Sequence, residues 1–199
     1  MTLVHVTPFN ALMWDNGGSP VRVVEHGVLP LSGARYTGHR EAGIVVVNNL
    51  DWRGRRLGLD IYRELAAQVP LVLVGMGSER VGGEGEVRNG QLPEVMAGYR
   101  FFFNPIRYTS LGLAVIEAMM VGLPIVGLAT TEMVTVIRNG ENGYVDTRPD
   151  RLAAAMRHLL ANPDEALAWG EAARQTALER FNIRRFVADW MDVFREVAG

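Results

Sequence analysis

From Leu113 to Val121 the chain reads Leu-Ala-Val-Ile-Glu-Ala-Met-Met-Val, and Glu117 is the one polar side chain in it. A carboxylate carried into an apolar environment must be paired or hydrogen-bonded, because an isolated desolvated charge is costly. Just upstream, Thr109-Ser110-Leu111-Gly112-Leu113 sets small residues and bare backbone where a helix would begin. Unpaired N–H groups and the positive end of the helix dipole converge at such a start and attract phosphate. Glu117 lies about two helical turns beyond Ser110. A ligand with a phosphate at one end and a vicinal diol at the other, which describes a nucleotide, can span both points. The residues equally allow Glu117 to pair with a buried arginine and Gly112 to serve close packing.

Cations come next. All 20 basic residues are arginine, so any anion-binding cation of this chain is a guanidinium, always charged and able to grip phosphate through two parallel hydrogen bonds. Arg53, Arg55 and Arg56 cluster after an apolar run, either as an anion clamp or as a solvated basic loop. His26 has no nucleophile near it in sequence and reads as a locally bonded hinge residue. Gly75-Met-Gly77 lacks the third glycine of a dinucleotide fingerprint, since Arg80 stands there, and that signal is rejected. With no cysteine there is neither a disulfide framework nor thiolate chemistry, and a reducing, cytoplasmic compartment is expected. A net charge of -2 gives no electrostatic footprint for nucleic acid. No apolar run approaches a membrane span, and the first residues lack the basic start of a signal peptide.

The elements that must position these groups follow from periodicity. Gly43 to Asn48 and Leu71 to Val74 are continuous apolar runs rich in β-branched residues, the pattern of strands buried on both faces. Tyr99 to Asn104 and Pro124 to Gly127 read as further strands, and Leu3 to Val6 and Val21 to Glu25 as short ones. Asn49 to Arg56 reads as a loop, Leu31 to Glu41 as a polar loop, and Gly82 to Gly90 as a loop around a short strand. Helices are expected at Pro8 to Trp14, Leu57 to Gln68, Gln91 to Gly98, Leu113 to Val121, Thr131 to Arg138, Asp150 to Leu160, Pro163 to Arg180 and Asn182 to Val197. Thr109 or Ser110 is expected to cap the Leu113 helix, Gly122 to stop it in a left-handed turn, and Thr131 to cap its own helix. Phe186, Trp190, Met191 and Phe194 recur at helical spacing, a pattern that more often marks core. Alternating strands and helices predict an α/β domain: a Rossmann-like parallel sheet with helices on both faces. On such sheets, ligands sit beyond the carboxyl ends of the strands, where the loops at Asn49, Gly75 and Thr109 should meet.

The run Ser110-Leu-Gly-Leu-Ala-Val-Ile-Glu-Ala-Met-Met-Val-Gly-Leu-Pro-Ile-Val-Gly127, then Glu132 and Val136-Ile-Arg-Asn-Gly-Glu-Asn-Gly-Tyr-Val145, resembles the donor-binding half of family 4 retaining glycosyltransferases of the GT-B fold. The resemblance runs from about Val21 to the C-terminus. It implies a nucleotide-diphosphate-sugar donor, hexosyl transfer with retention, and no metal or other cofactor. In that family two glutamates separated by seven residues hold the transferred sugar and the ribose. Glu117 matches the ribose position, while Thr109 stands at the sugar position, so ribose recognition carries over and charged sugar recognition does not. The family's Gly-Arg pair is replaced by Asn48-Asn49, and Arg53 or Arg56 is expected to reach the diphosphate. The donor site thus comprises Arg53, Arg56, Thr109, Ser110, Leu111, Gly112, Leu113 and Glu117; catalytic residues are not identifiable. The resemblance also implies that residues 1–20 are the remnant of an acceptor domain or a linker, 21–181 the donor domain with a hinge at His26-Gly27-Val28, and 182–199 the helix crossing back. The alternative is a donor-binding subunit that needs a separate acceptor-domain partner, or a homodimer without activity.

Overall fold

Along each central strand the side chains alternate between two cores. Ile44 faces one hydrophobic cluster and Val45 the other; Phe102 joins the first while Phe101 and Phe103 join the second, and Ile125 and Val126 divide in the same way. This period of two, with both sides apolar, is what a parallel sheet covered on both faces requires. A computed structural model describes residues 1–29, 33–88 and 90–198. Leu31, in the polar loop expected from Leu31 to Glu41, and Asn89, in the loop expected from Gly82 to Gly90, lie outside the described residues.

The strands β3 (Arg40–Val46), β4 (Leu71–Val74), β5 (Tyr99–Asn104), β6 (Ile125–Leu128) and β7 (Gly143–Asp146) form one sheet in the order β4-β3-β5-β6-β7, and every neighbouring pair is parallel. A separate two-stranded parallel sheet joins β1 (Leu3–His5) to β2 (Val21–Val23), both shorter than the sequence suggested. Between them, α1 (Pro8–Met13) begins at Thr7, whose side chain accepts from the Asn10 N–H.

One face of the main sheet carries α2 (Leu50–Leu57), α3 (Leu59–Ala66) and α7 (Pro149–Ala161); the other carries α4 (Leu92–Ala97) and α5 (Leu113–Val121), and α8 (Pro163–Arg180) reaches both, with Ala166 and Trp169 in the core of the former face and Ala173 and Ala177 in that of the latter. The short α6 (Met133–Val136) follows β6, and α9 (Ile183–Ala198) packs on residues 22–28. The chain therefore enters the main sheet at its second strand, β3, builds the edge strand β4 on one side, then crosses to β5 on the other. This reversal opens a crevice at the carboxyl ends of β3 and β5, the usual ligand position in such sheets.

Several local expectations are corrected. Asn49 to Arg56 is helical rather than a loop: Asn49 takes a left-handed turn (φ 53°), and α2 runs from Leu50 to Leu57 with a break at Gly54 (φ 50°, ψ -127°). The apolar Leu50 and Leu57 are buried, and anchoring both ends on the sheet draws the intervening arginines into a helix. No strand occurs among the described residues of Gly82 to Gly90; Glu84 and Gly85 instead bond to Leu73 and Gly75 as an extended flap. Neither Thr109 nor Ser110 caps α5. The cap is Gly112 in an extended conformation, with no side-chain bond. Thr131 does not cap α6 either, since Glu132 takes that place.

The end of α5 is as expected. Gly122 adopts φ 102°, a value that a side chain strongly disfavours. Its carbonyl lies 2.0 Å from where a Cβ on Gly170 would sit, so α5 and α8 meet backbone to backbone. The aromatics of α9 depart from the core expectation. Phe186 packs on Gly27, where an added Cβ would approach the Phe186 Cβ to 2.3 Å, but Met191 and Phe194 are 46% and 57% exposed.

Candidate functional site

Two adjoining cavities open at the carboxyl ends of the strands, and Val46 and Asn48 line both. The larger, of about 550 Å³, lies between the ends of β3 and β5, lined by Asn48, Arg53, Arg56, Thr109, Ser110 and Thr131 among others. The smaller, of about 300 Å³, lies toward β4 and is lined by Gly75, Glu86, Leu92, Leu113 and Glu117 among others. Local sequence explains the wall they share. Asn48 ends the buried run of β3, and its Oδ1 accepts from the Met76 N–H at 2.9 Å, tying the β3 and β4 loops together. Gly75 is required there: at φ 135° an added Cβ would sit 2.5 Å from the Val47 carbonyl oxygen.

Glu117 faces the smaller cavity from the second turn of α5. It forms no hydrogen bond or ion pair among the described residues, so pairing with a buried arginine, one of the two readings the residues allowed, does not occur. Burial without a partner pushes its carboxyl above the ordinary glutamate value. Gly112 has likewise no packing reason, since a Cβ there would meet nothing nearer than Val115 at 3.9 Å, and its backbone does not need a glycine. The N–H groups of Gly112, Leu113 and Ala114 donate to nothing among the described residues. The first helical turn thus presents open donors. Along the axis Gly112 and Glu117 are about 7.5 Å apart, at 1.5 Å per residue.

The arginines on the opposite rim divide by their partners. Arg107 forms a bidentate pair with Asp60 at 2.6 and 2.8 Å, and Arg55 reaches the same carboxylate at 2.6 Å. Arg80 holds Asp51 at 2.5 Å, which keeps the Asp51 carboxyl at about 2. These pairs fasten α2 and α3 to their neighbouring loops. The Arg53 and Arg56 side chains have no partner among the described residues, and both are exposed where they line the larger cavity.

Of the donor-site residues expected from the sequence, Arg53, Arg56, Thr109 and Ser110 line the larger cavity and Leu113 and Glu117 the smaller, while Leu111 and Gly112 line neither. Thr109 and Ser110 line the larger one, and neither hydroxyl is engaged among the described residues. The Leu111 side chain is buried in the core, which leaves only its backbone, while Leu113 lines the smaller cavity. His26 lies away from both, half-buried, its ring pushed toward the neutral form by burial and by Arg185. The sequence reading missed Tyr108, Thr131, Glu86 and, from α1, Phe9 and Asn10. A polar residue ending a buried strand was a usable signal for Asn48; nothing local pointed to α1.

The lower edge of the larger cavity is held by Glu132, which is 1% exposed. It accepts from Arg180 at 3.0 Å, from the Phe9 N–H at 3.2 Å and from the Thr135 hydroxyl. Arg180 in turn grips Glu25, so α1, α6, α8 and the segment entering the sheet meet at one buried carboxylate.

The architecture is that of the GT-B glycosyltransferases. Sucrose-phosphate synthase from Thermosynechococcus elongatus superposes with a TM-score of 0.86 over 98% of this chain and 58% of its own, at 20% identity. TarM of Staphylococcus aureus, solved with UDP, fondaparinux and alpha-GlcNAc-glycerol, does so with 0.80 over 96% and 43%, at 15% identity. Residues 43–162 match the family Glycosyl transferases group 1, and the chain belongs to that family. It is 27% identical over 147 residues to alpha-maltose-1-phosphate synthase of Mycobacterium tuberculosis, and 30% identical over 90 residues to N-acetyl-alpha-D-glucosaminyl L-malate synthase of Bacillus anthracis. These alignments cover 68% and 44% of this chain but only 38% and 24% of those proteins. The chain thus spans about a quarter to two fifths of the curated relatives it matches. Among the described residues no helix is long and apolar enough to cross a membrane.

Proposed function

We propose that the paired cavities bind a nucleotide-diphosphate sugar and that the chain acts as the donor half of a family 4 retaining hexosyltransferase. The observation that carries this reading is Glu117, a carboxylate without a partner among the described residues, in one cavity and about 7.5 Å along α5 from the N–H of Gly112 that opens the helix. A ribose diol in the smaller cavity would satisfy Glu117. The diphosphate would then lie across the start of α5, with Arg53 and Arg56 on its far side. Helix amides and guanidiniums placed where the leaving diphosphate gains charge are the donors such a transfer needs, and on this reading no metal is required. Thr109 supplies a neutral hydroxyl to the transferred sugar.

Residues 21–181 hold the donor on this reading, residues 1–20 belong to the acceptor side, and 182–199 cross between the two. The acceptor-binding surface comes from a further domain or a separate chain, in keeping with relatives two to four times as long as the matched part. Neighbours of the same fold were solved with UDP or UDP-glucose, which makes uridine the first base to try. The names of several relatives carry a phosphate or malate group, which points toward anionic acceptors.

The test is a thermal-shift titration with UDP, GDP, ADP and their common sugar conjugates, run beside Glu117→Ala. A ligand at about 100 times its dissociation constant stabilises by roughly 2.7 kcal/mol. A shift with one base that disappears in the variant supports the reading; a flat panel with the intact protein overturns it.

A further inference from the structure

The two donor cavities are opposite in charge. Glu86 and Glu117 line the smaller one, whereas no aspartate or glutamate lines the larger among the described residues. Arg53 and Arg56 line the larger instead, and neither is paired among the described residues. We propose that the sugar of the nucleotide donor is a hexuronic acid, a hexose oxidised at C6 to a carboxylate, and that the guanidiniums and amides of the larger cavity hold that carboxylate. The proposal rests on the donor-site reading above and takes uridine as the base.

The asparagines of the larger cavity sharpen the contrast. Asn10 Oδ1 accepts from the Thr7 hydroxyl at 2.6 Å, and Asn48 Oδ1 accepts from the Met76 N–H at 2.9 Å. Each carboxamide thus has its acceptor end tied, while its Nδ2 donor end has no partner among the described residues. A guanidinium likewise donates and cannot accept. Thr131 donates its hydroxyl hydrogen to the Ser110 carbonyl, and the hydroxyls of Thr109 and Ser110 can act either way. The strong polar groups of this cavity are therefore donors.

A diphosphate suits that lining, but the sugar must share it. With the ribose beside Glu117, the rest of the donor extends into this space of about 550 Å³. The hydroxyl hydrogens of a neutral hexose need acceptors, and a carboxylate is the strongest acceptor a side chain can offer. None lines the cavity among the described residues. A hexuronic acid reverses the requirement. Its carboxylate is ionised at neutral pH and only accepts, so it gains charge-assisted bonds in a cavity that sets no like charge against it.

The experiment is a calorimetric titration of the chain with UDP, UDP-glucose and UDP-glucuronic acid, beside Asn10→Asp and Thr109→Glu. Asn10→Asp keeps an oxygen for the Thr7 hydroxyl and turns the free donor end into an anion; Thr109→Glu adds an acceptor of full charge. Melting curves without ligand establish that each variant is folded. The intact chain is expected to bind UDP-glucuronic acid about tenfold more tightly than UDP-glucose, with a preference that shrinks as salt is added. Each variant should lose roughly tenfold more affinity for UDP-glucuronic acid than for UDP-glucose. Equal affinities, a preference for UDP-glucose, or variants that weaken both conjugates alike would each overturn the proposal. UDP binding with no difference between the conjugates leaves the donor reading standing and this proposal refuted; no binding of UDP, GDP or ADP refutes both.

Discussion

Thr131 donates its hydroxyl to the Ser110 carbonyl across 2.8 Å from a backbone held at φ 51°. A β-branched residue in that left-handed region is strained, so the bond is made at a conformational cost. It ties the loop after β6 to the residues that lead into α5. Thr131→Ala and Thr131→Gly both remove the bond, but only glycine also removes the strain. Thr131→Gly should therefore be more stable than Thr131→Ala by about 1 kcal/mol, read from urea unfolding midpoints. Both should weaken nucleotide binding, because the Ser110 loop loses its tether.

Glu117 gives a pH dependence with a defined sign. Its folded carboxyl titrates above the ordinary value because of burial, so between the unfolded value of 4.5 and the raised one the folded protein holds the extra proton. Stability should thus fall as pH rises through that window, with the penalty present in full at neutral pH. Glu117→Gln is expected to flatten this part of the stability curve and to raise the melting temperature at pH 7. Nucleotide affinity should meanwhile fall by about ten- to a hundredfold through loss of charge-assisted hydrogen bonds. Melting curves between pH 4 and pH 8 with calorimetric titration check both; a variant that is less stable at neutral pH would contradict the account of Glu117 as a desolvated, unpartnered carboxylate.

The exposed arginines should behave in the opposite manner. Arg53→Gln and Arg56→Gln are expected to change stability by no more than about 0.5 kcal/mol, since neither side chain is paired among the described residues. At least one of the two should lower affinity for a nucleoside diphosphate roughly tenfold and weaken its dependence on salt. Titrations at two ionic strengths read this directly.

Glu132 predicts the converse, a structural loss. Glu132→Ala strips Arg180, the Phe9 N–H and the Thr135 hydroxyl of one buried acceptor, while Glu25 still holds Arg180. The expected cost is about 2 to 3 kcal/mol, seen as a lower urea midpoint. Proteolysis near α1 should also speed up, because Phe9 loses its anchor.

Much of this protein was legible in its sequence. The bounds of α5, α8 and β5 follow from an apolar run, a proline or a left-handed glycine at the end of an element, signals that act within a few residues of where they are read. The parallel sheet followed from runs apolar on both faces, and Glu117 drew attention because a lone carboxylate is conspicuous in such a run.

Tertiary structure alone decided the rest. Burial of Leu50 and Leu57 made a helix of a stretch whose arginines read as a loop, and the extended entry at Gly112 left α5 uncapped where hydroxyls were at hand. Only the strand order β4-β3-β5 brings Arg53, Thr109 and Glu117, from three separate loops and helices, around one crevice. Which arginines remain free was also settled in space, by whether Asp51 and Asp60 reach them. Local patterning fixes where elements begin and end because its forces act between neighbours along the chain. Sites and charge pairs join residues distant in sequence, and those contacts exist only once the sheet has been assembled.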